Sequence, residues 1–136
     1  MEIFGLFFFG CDNEPVLISY KPVEVEADSL TDQINTERID RGLNTLVSEK
    51  LLTEIAEHKA TSMYLNSAVN HNGIVERQEE TMADINGEIV VKVSPEYMFE
   101  VYMNSPGHKE RIINPEFTHI GSYTVDKYNC VMFAKY

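Results

Sequence analysis

Five residues in the C-terminal half, Asn104-Ser105-Pro106-Gly107-His108, have the pattern of a helix start followed by a histidine. Ser105 is a favoured N-cap residue and proline suits the first helical position, so a short helix is expected through Ile113. His108 then lies in the first turn, where free backbone N–H groups and the positive end of the helix dipole disfavour a charged imidazolium. We therefore expect His108 to be neutral, the form of histidine that binds metals.

Two residues upstream carry the same kind of chemistry. His71 lies in Asn70-His71-Asn72-Gly73, and Glu88 follows Gly87. Because each is close to a glycine, we expect both near turns. Two histidines and a carboxylate with one open position form a known zinc arrangement, so Zn²⁺ held by His71, Glu88 and His108 is the candidate cofactor. The alternative is structural: the same side chains hydrogen-bond each other and tie three turns together.

Several segments, in this order, resemble the CAP superfamily of cysteine-rich secretory, antigen 5 and pathogenesis-related-1 proteins, in its short bacterial SCP-like type. The resemblance covers residues 29–136. It rests on six stretches: Asn35 to Leu46, Leu51 to Met63, His71, Gly87-Glu88-Ile89, Tyr102 to His108, and Ile112 to Gly121.

The resemblance implies a fold and a site. The fold is an α-β-α sandwich, with an antiparallel sheet between helical layers. The site is a His-Glu-Glu-His tetrad in a central cleft, of which His71, Glu88 and His108 match three members. No residue matches the fourth, because Tyr102 holds the place of the family tryptophan and Glu100 lies on the wrong side of it. Ser105 belongs to the same cleft, as a helix cap rather than a nucleophile.

The pattern of caps and apolar residues independently predicts an α+β domain. Helices are expected to begin at Ser29, after Ser48 as a cap, and at Ser94-Pro95, while Gly42 ends the first of them. Residues 119–125 and 130–136 are expected to form strands around a four-residue hairpin loop. The acidic stretch around Arg77 is interpreted as a solvated loop.

Composition narrows the classes of partner. The chain has 136 residues, enough for one domain, and a net charge of −11. No basic stripe is present, so nucleic acid is not an expected partner. Cys11 and Cys130 are far apart in sequence, and whether they pair stays open.

Residues 1–28 are expected to form an extended segment outside the 29–136 domain. The apolar run from Ile3 to Phe9 follows Glu2 with no basic residue before it, and it is too short for a transmembrane span. We expect it to pack on the domain or to form a homodimer contact, since large apolar side chains gain roughly 1.5–3 kcal/mol on burial. The location is cytoplasmic by default, with secretion or lipid anchoring as alternatives.

Three functions are compatible with these patterns. The preferred one is a stand-alone CAP domain that binds a protein or a small ligand in the His71–Glu88–His108 cleft. The first alternative is a metal-assisted hydrolase or peptidase that uses the same residues, so enzymatic activity is left undecided. The second is an acidic inhibitor that docks on a basic protein surface.

Overall fold

The computed structural model describes residues 3–8, 15–20, 23–26 and 28–136, with the backbone alone for the first two ranges. In chain order the elements are β1 (Ile3–Phe8), β2 (Pro15–Tyr20), α1 (Ser29–Asp40), β3 (Val47–Ser48), α2 (Lys50–Asn66), α3 (Ile74–Glu80), β4 (Ile85–Lys92), a 3₁₀ turn (Pro95–Tyr97), α4 (Met98–Met103), α5 (Pro106–Ile112), β5 (His119–Val125) and β6 (Tyr128–Lys135).

A four-stranded sheet in the order β3-β5-β6-β4 forms the middle layer. β3 runs parallel to β5, whereas the other neighbours are antiparallel, so the sheet is mixed. Alternate residues of a strand point to opposite sides of the sheet, and in β6 the residues on both sides are buried. Cys130, Met132 and Ala134 join the core formed with α2, while Val131 and Phe133 join the opposite core with α1, α4 and α5. The predicted α-β-α sandwich is confirmed, but its sheet, expected to be antiparallel, is mixed because the short strand β3 pairs parallel with β5.

The helix α2 packs on β5 and β6 through a face of small and apolar residues. Its N-cap is Glu49, whose carboxylate accepts a hydrogen bond from the Leu52 amide, so the prediction of Ser48 as the cap is wrong. Ser48 instead ends β3, where its burial in the sheet takes precedence over its capping preference. Gly121 of β5 lies so close to α2 that an added Cβ would meet the backbone of Leu52 and Thr53 at 2.2 Å.

Two other element boundaries, at α1 and at β6, differ in detail from those expected from the sequence. α1 begins at Ser29 as expected, but the Asp28 carboxylate is the cap and accepts from the Thr31 amide. The β5–β6 hairpin has a two-residue turn, and β6 begins at Tyr128 rather than Cys130. The turn is that tight because Asp126 adopts a positive φ of 56°, a conformation that aspartate tolerates.

The N-terminal region contributes a second, two-stranded sheet, in which β1 and β2 pair antiparallel from Ile3↔Tyr20 to Phe8↔Pro15. The side chains of the apolar run and Cys11 lie outside the described residues, so packing on the domain and a homodimer contact stay predictions. Residues 23–25 do contact the domain through backbone hydrogen bonds, from Val25 N–H to the Ser48 carbonyl and from Lys50 N–H to the Val23 carbonyl. None of the helices in the described part combines the length and apolar character needed to span a bilayer.

Candidate functional site

Glu88 is the centre of the candidate site. It lies inside β4, opposite Met132 of β6, so the expected turn position is wrong. The neighbouring Gly87 is also in the strand, where an added Cβ would meet the Phe117 ring at 3.0 Å; close packing, rather than a turn, favours glycine there. The Glu88 side chain is 0% exposed, which makes a buried carboxylate that needs partners.

His71 provides one of those partners. It lies on the loop between α2 and α3, and its Nδ1 is 2.7 Å from Oε2 of Glu88. Donation from Nδ1 fixes the ring and leaves Nε2 as an acceptor whenever the imidazole is neutral. The His71 side chain is 46% exposed, so one edge of the ring is bound to the carboxylate while the rest is open to solvent.

Arg77 provides the other partner, and sequence reasoning missed it. Residues 74–80 form the helix α3 rather than a solvated loop, and the helix directs the Arg77 side chain back to β4. Its Nε contacts Oε1 of Glu88, and Nη2 lies 2.9 Å from Oε2. Nη1 and Nη2 also donate to the carbonyls of Asn72 and His71 at 2.6 and 3.3 Å, so one guanidinium holds both the carboxylate and the loop that carries His71.

These contacts decide the charge of the site. Burial alone would raise the pKa of Glu88, but the hydrogen bonds from Arg77 and His71 outweigh it, and the pKa lies below its ordinary value. Glu88 is therefore ionised at neutral pH. Behind it, the Sγ of Cys130 is 4.0 Å from Oε1, and burial holds the pKa of this thiol far above its usual range. Cys130 forms no disulfide with any of the described residues, and its thiol stays protonated.

His108 lies in the first turn of α5 as expected, half-buried against Tyr102 with ring centroids 5.1 Å apart in an edge-to-face arrangement. Burial first, and then the charges of Arg111 and His71, lower the pKa of His108, so it is neutral at pH 7. Its Nδ1 is buried and finds no hydrogen-bond partner among the described residues. Ser105 occupies the N-cap position of α5, but its hydroxyl makes no capping hydrogen bond.

Tyr102 lies beside His108, with the two rings edge-to-face. Its ring is fully buried, and its hydroxyl donates to Oδ1 of Asn129 at 2.7 Å. Asn129 is held in turn by its own amide, which donates to Ser122, Tyr123 and Thr124. The Tyr102 ring beside His108 is thus fixed by a buried polar network.

The donor set does not fit a zinc ion as it is arranged. Both oxygens of Glu88 are occupied by Arg77 and His71, and a guanidinium lies where a cation would neutralise the carboxylate. No three His, Cys, Asp or Glu side chains in the described part of the chain are placed to hold a metal ion together. The structure does bring His71 and Glu88 into contact, and His71 contributes electrostatically to the lowered pKa of His108.

Comparison with known proteins decides the family. Residues 31–133 match the family described as CAP, the cysteine-rich secretory protein family. The chain belongs to the CAP family. It is 31% identical over 96 residues to the protein YkwD of Bacillus subtilis, a match that covers 64% of this chain and 37% of YkwD. The match therefore spans a little over a third of that relative's length.

Three solved structures share the CAP fold at low identity. An extracellular protein with an SCP domain from Bacillus anthracis superimposes with a TM-score of 0.73, 21% identity, and coverage of 79% of this chain and 39% of that one. For an outer surface protein of Borrelia burgdorferi the TM-score is 0.70 and the identity 22%, and the match covers 85% of this chain and 98% of that one. For a cysteine-rich secretory protein of Staphylococcus aureus the TM-score is 0.70 and the identity 18%, and the match covers 79% of this chain and 37% of that one. At these identities the likeness supports the fold alone.

Proposed function

We propose that this CAP domain is a binding protein that recognises its ligand in the cleft formed by His71, Glu88 and His108, with Ser105 at its edge. Glu88 acts as a positioning residue, because its carboxylate holds the ring of His71 and is itself held by Arg77. His71 and His108 are the groups that would touch the ligand.

One observation carries this proposal: the carboxylate of Glu88 is already committed on both oxygens. A carboxylate in this state is poorly placed to ligate a metal or to exchange protons with a substrate. His71 is well placed to bind, because its ring is held in one orientation and is nearly half exposed. Little side-chain freedom is then lost when a ligand arrives, which favours affinity.

The two alternatives expected from the sequence have less support. A metal-assisted hydrolase needs ligand positions that Arg77 and His71 occupy. An acidic inhibitor is supported by the net charge of −11 and by no specific contact in the described residues. A pull-down tests the acidic inhibitor, and a zinc titration tests the metal-assisted hydrolase.

The experiment is a pull-down with immobilised protein from envelope and cytosolic fractions of the source cells, at low and high salt. If the partner is recognised in the cleft, wild-type protein should retain it at high salt. The double variant that combines His71→Gln with His108→Gln should lose it. His119→Gln is a matched control, because this half-buried histidine lies on β5 and its ring contacts Thr118 and Tyr136. A partner that is lost at high salt and kept by the double variant would instead support the acidic inhibitor.

We also propose that the protein acts outside the cytoplasm, in place of the default expectation. Two proteins of similar fold are described as extracellular and as an outer surface protein. Fractionation of cells that express the natural gene tests this, and recovery in the cytosol alone would contradict it.

A further inference from the structure

A recess lies under the loop that carries His71. It is a cavity of about 470 Å³ between the C-terminal half of α2 and residues 68–72. That volume is within the range of small-molecule sites, roughly 300–1,000 Å³. Polar side chains dominate its lining, among them His58, Lys59, Ser62, Asn66, Asn72 and Arg77.

The charges around this cavity are unusual for the chain. Acidic side chains outnumber basic ones by 22 to 11 in the sequence. Yet the described residues that line the cavity include Lys59, Arg77 and His58 and no aspartate or glutamate. Arg77 is neutralised by Glu88, so Lys59 is the cation whose charge is not matched by a contacting carboxylate among the described residues.

Lys59 is also buried, with 5% of the residue exposed. Its ammonium donates to Oδ1 of Asn70 at 2.8 Å and to the carbonyl of Asn72 at 3.2 Å. An ammonium has three donors, so one remains, and both acceptors in use are neutral. Buried charges are normally paired with an opposite charge, because desolvation is costly otherwise. Burial and the neighbouring Arg77 accordingly lower the pKa of Lys59.

The rest of the lining suits hydroxyl groups. Ser62 and Asn66 offer a hydroxyl and an amide on the next turn of α2, and Asn72 lies on the facing loop. Such groups both donate and accept hydrogen bonds, as a polyol requires. We propose that this cavity binds a small hydroxyl-rich anion, a sugar acid or a sugar phosphate, whose negative group pairs with the Lys59 ammonium. This site goes beyond the proposed cleft function and uses different side chains.

The test is isothermal titration with D-glucuronate and D-glucose 6-phosphate, with D-glucose as the neutral analogue. A charge-assisted contact to a buried ammonium predicts that at least one anion binds about tenfold or more tightly than glucose. Whichever anion binds identifies the charged group as a carboxylate or a phosphate. Glucose binding as tightly as both anions, or no saturable binding of either anion, would overturn the proposal.

Two variants of Ser62, which lies one helical turn from Lys59, separate the effect of charge on binding from the effect of side-chain shape. Ser62→Asp places a carboxylate at i+3 from Lys59, where side chains are neighbours, and it is expected to displace the anion and weaken binding about tenfold. Ser62→Asn has nearly the same shape without the charge and should keep wild-type affinity. Gln33→Glu on α1 adds the same unit of charge away from the cavity and should also bind normally. Equal affinity of Ser62→Asp and Ser62→Asn would overturn the proposal.

Lys59→Gln removes the ammonium directly and keeps a donor for the loop carbonyls, so it should abolish anion binding. His71→Gln should leave it intact, because His71 does not line this cavity. Loss of anion binding in His71→Gln with retention in Lys59→Gln would assign the anion to the cleft and contradict the separate site.

Discussion

The guanidinium of Arg77 and the carboxylate of Glu88 form a two-pronged ion pair, with Nη2 2.9 Å from Oε2 and Nε in contact with Oε1. The pair joins α3 to the middle of β4 and leaves 11% of the Arg77 side chain and none of Glu88 exposed. Planar, paired hydrogen bonds of this kind are the strongest that arginine makes. The candidate site is therefore centred on a buried ion pair.

Removing that cation should destabilise the protein strongly. Arg77→Gln leaves the buried Glu88 with His71 as its remaining partner, and breaking a buried pair by deleting one member costs about 3–5 kcal/mol. Urea unfolding monitored by circular dichroism measures the change. The control is Lys50→Gln, whose partner Glu54 is 3.9 Å away with both side chains more than half exposed, and it should change the free energy of unfolding little. A loss in Arg77→Gln no larger than in Lys50→Gln would contradict the ion pair.

The Glu88 carboxylate should make stability depend on pH. Its folded pKa is lowered, so its contribution is present above the unfolded value of about 4.3 and is lost as pH falls through the folded pKa. Glu88→Gln should therefore be clearly less stable than wild type at pH 7, with a gap that narrows as the pH falls below about 4. Thermal melts from pH 7 to pH 3 measure this gap. Glu116→Gln, which removes an exposed partner of Lys135, is the control and should show a small gap throughout. A Glu88→Gln gap that is constant from pH 7 to pH 3 would refute the lowered pKa.

Docking of α2 on the sheet should depend on Gly121. Gly121→Ala would place a Cβ at 2.2 Å from the backbone of α2, which cannot move away without separating the layers. Overpacking typically costs about 1–3 kcal/mol, and a clash with backbone should reach or exceed the upper value. Gly107→Ala is the matched control, because an added Cβ there meets nothing within 4 Å. Similar melting temperatures for the two variants would contradict the close approach.

The hydroxyl of Tyr102 should stabilise the fold beside His108. Tyr102→Phe leaves Oδ1 of the buried Asn129 without this donor, which typically costs about 1–3 kcal/mol. Tyr97→Phe, at an exposed position of the preceding 3₁₀ turn, should be neutral. Equal stability of the two variants, measured by chemical unfolding, would show that the buried hydrogen bond contributes nothing.

Local signals in the sequence predicted much of the fold. The start of α1 at Ser29, the bounds of β5 and the helix after Ser105 follow from caps, proline and alternation. β4 was not predicted as a strand, because Gly87 and Asn86 are typical of turns and the strand pairs with the distant β6, from Ile85↔Lys135 to Lys92↔Tyr128. The burial that makes this segment a strand comes from β6, and no local pattern contains it.

The site shows the same division between local and distant information. His71, Glu88 and His108 were identified from motif order, and the structure places His71 on Glu88. Arg77 was missed because its role depends on a carboxylate 11 residues away on another element. One signal was available: Arg77 is the single lysine or arginine between Lys59 and Lys92, inside an acidic stretch that includes a buried glutamate.

The most direct test of a metal-free cleft is a zinc titration of the purified, metal-stripped protein by calorimetry and thermal shift. Because both carboxylate oxygens of Glu88 are occupied, we expect no saturable zinc binding to the cleft. The melting temperature should be the same with and without excess zinc. His71→Gln combined with His108→Gln should leave any residual zinc effect unchanged. Tight one-to-one zinc binding that raises the melting temperature, and that disappears in the double variant, would contradict the account and restore the metal-dependent alternative.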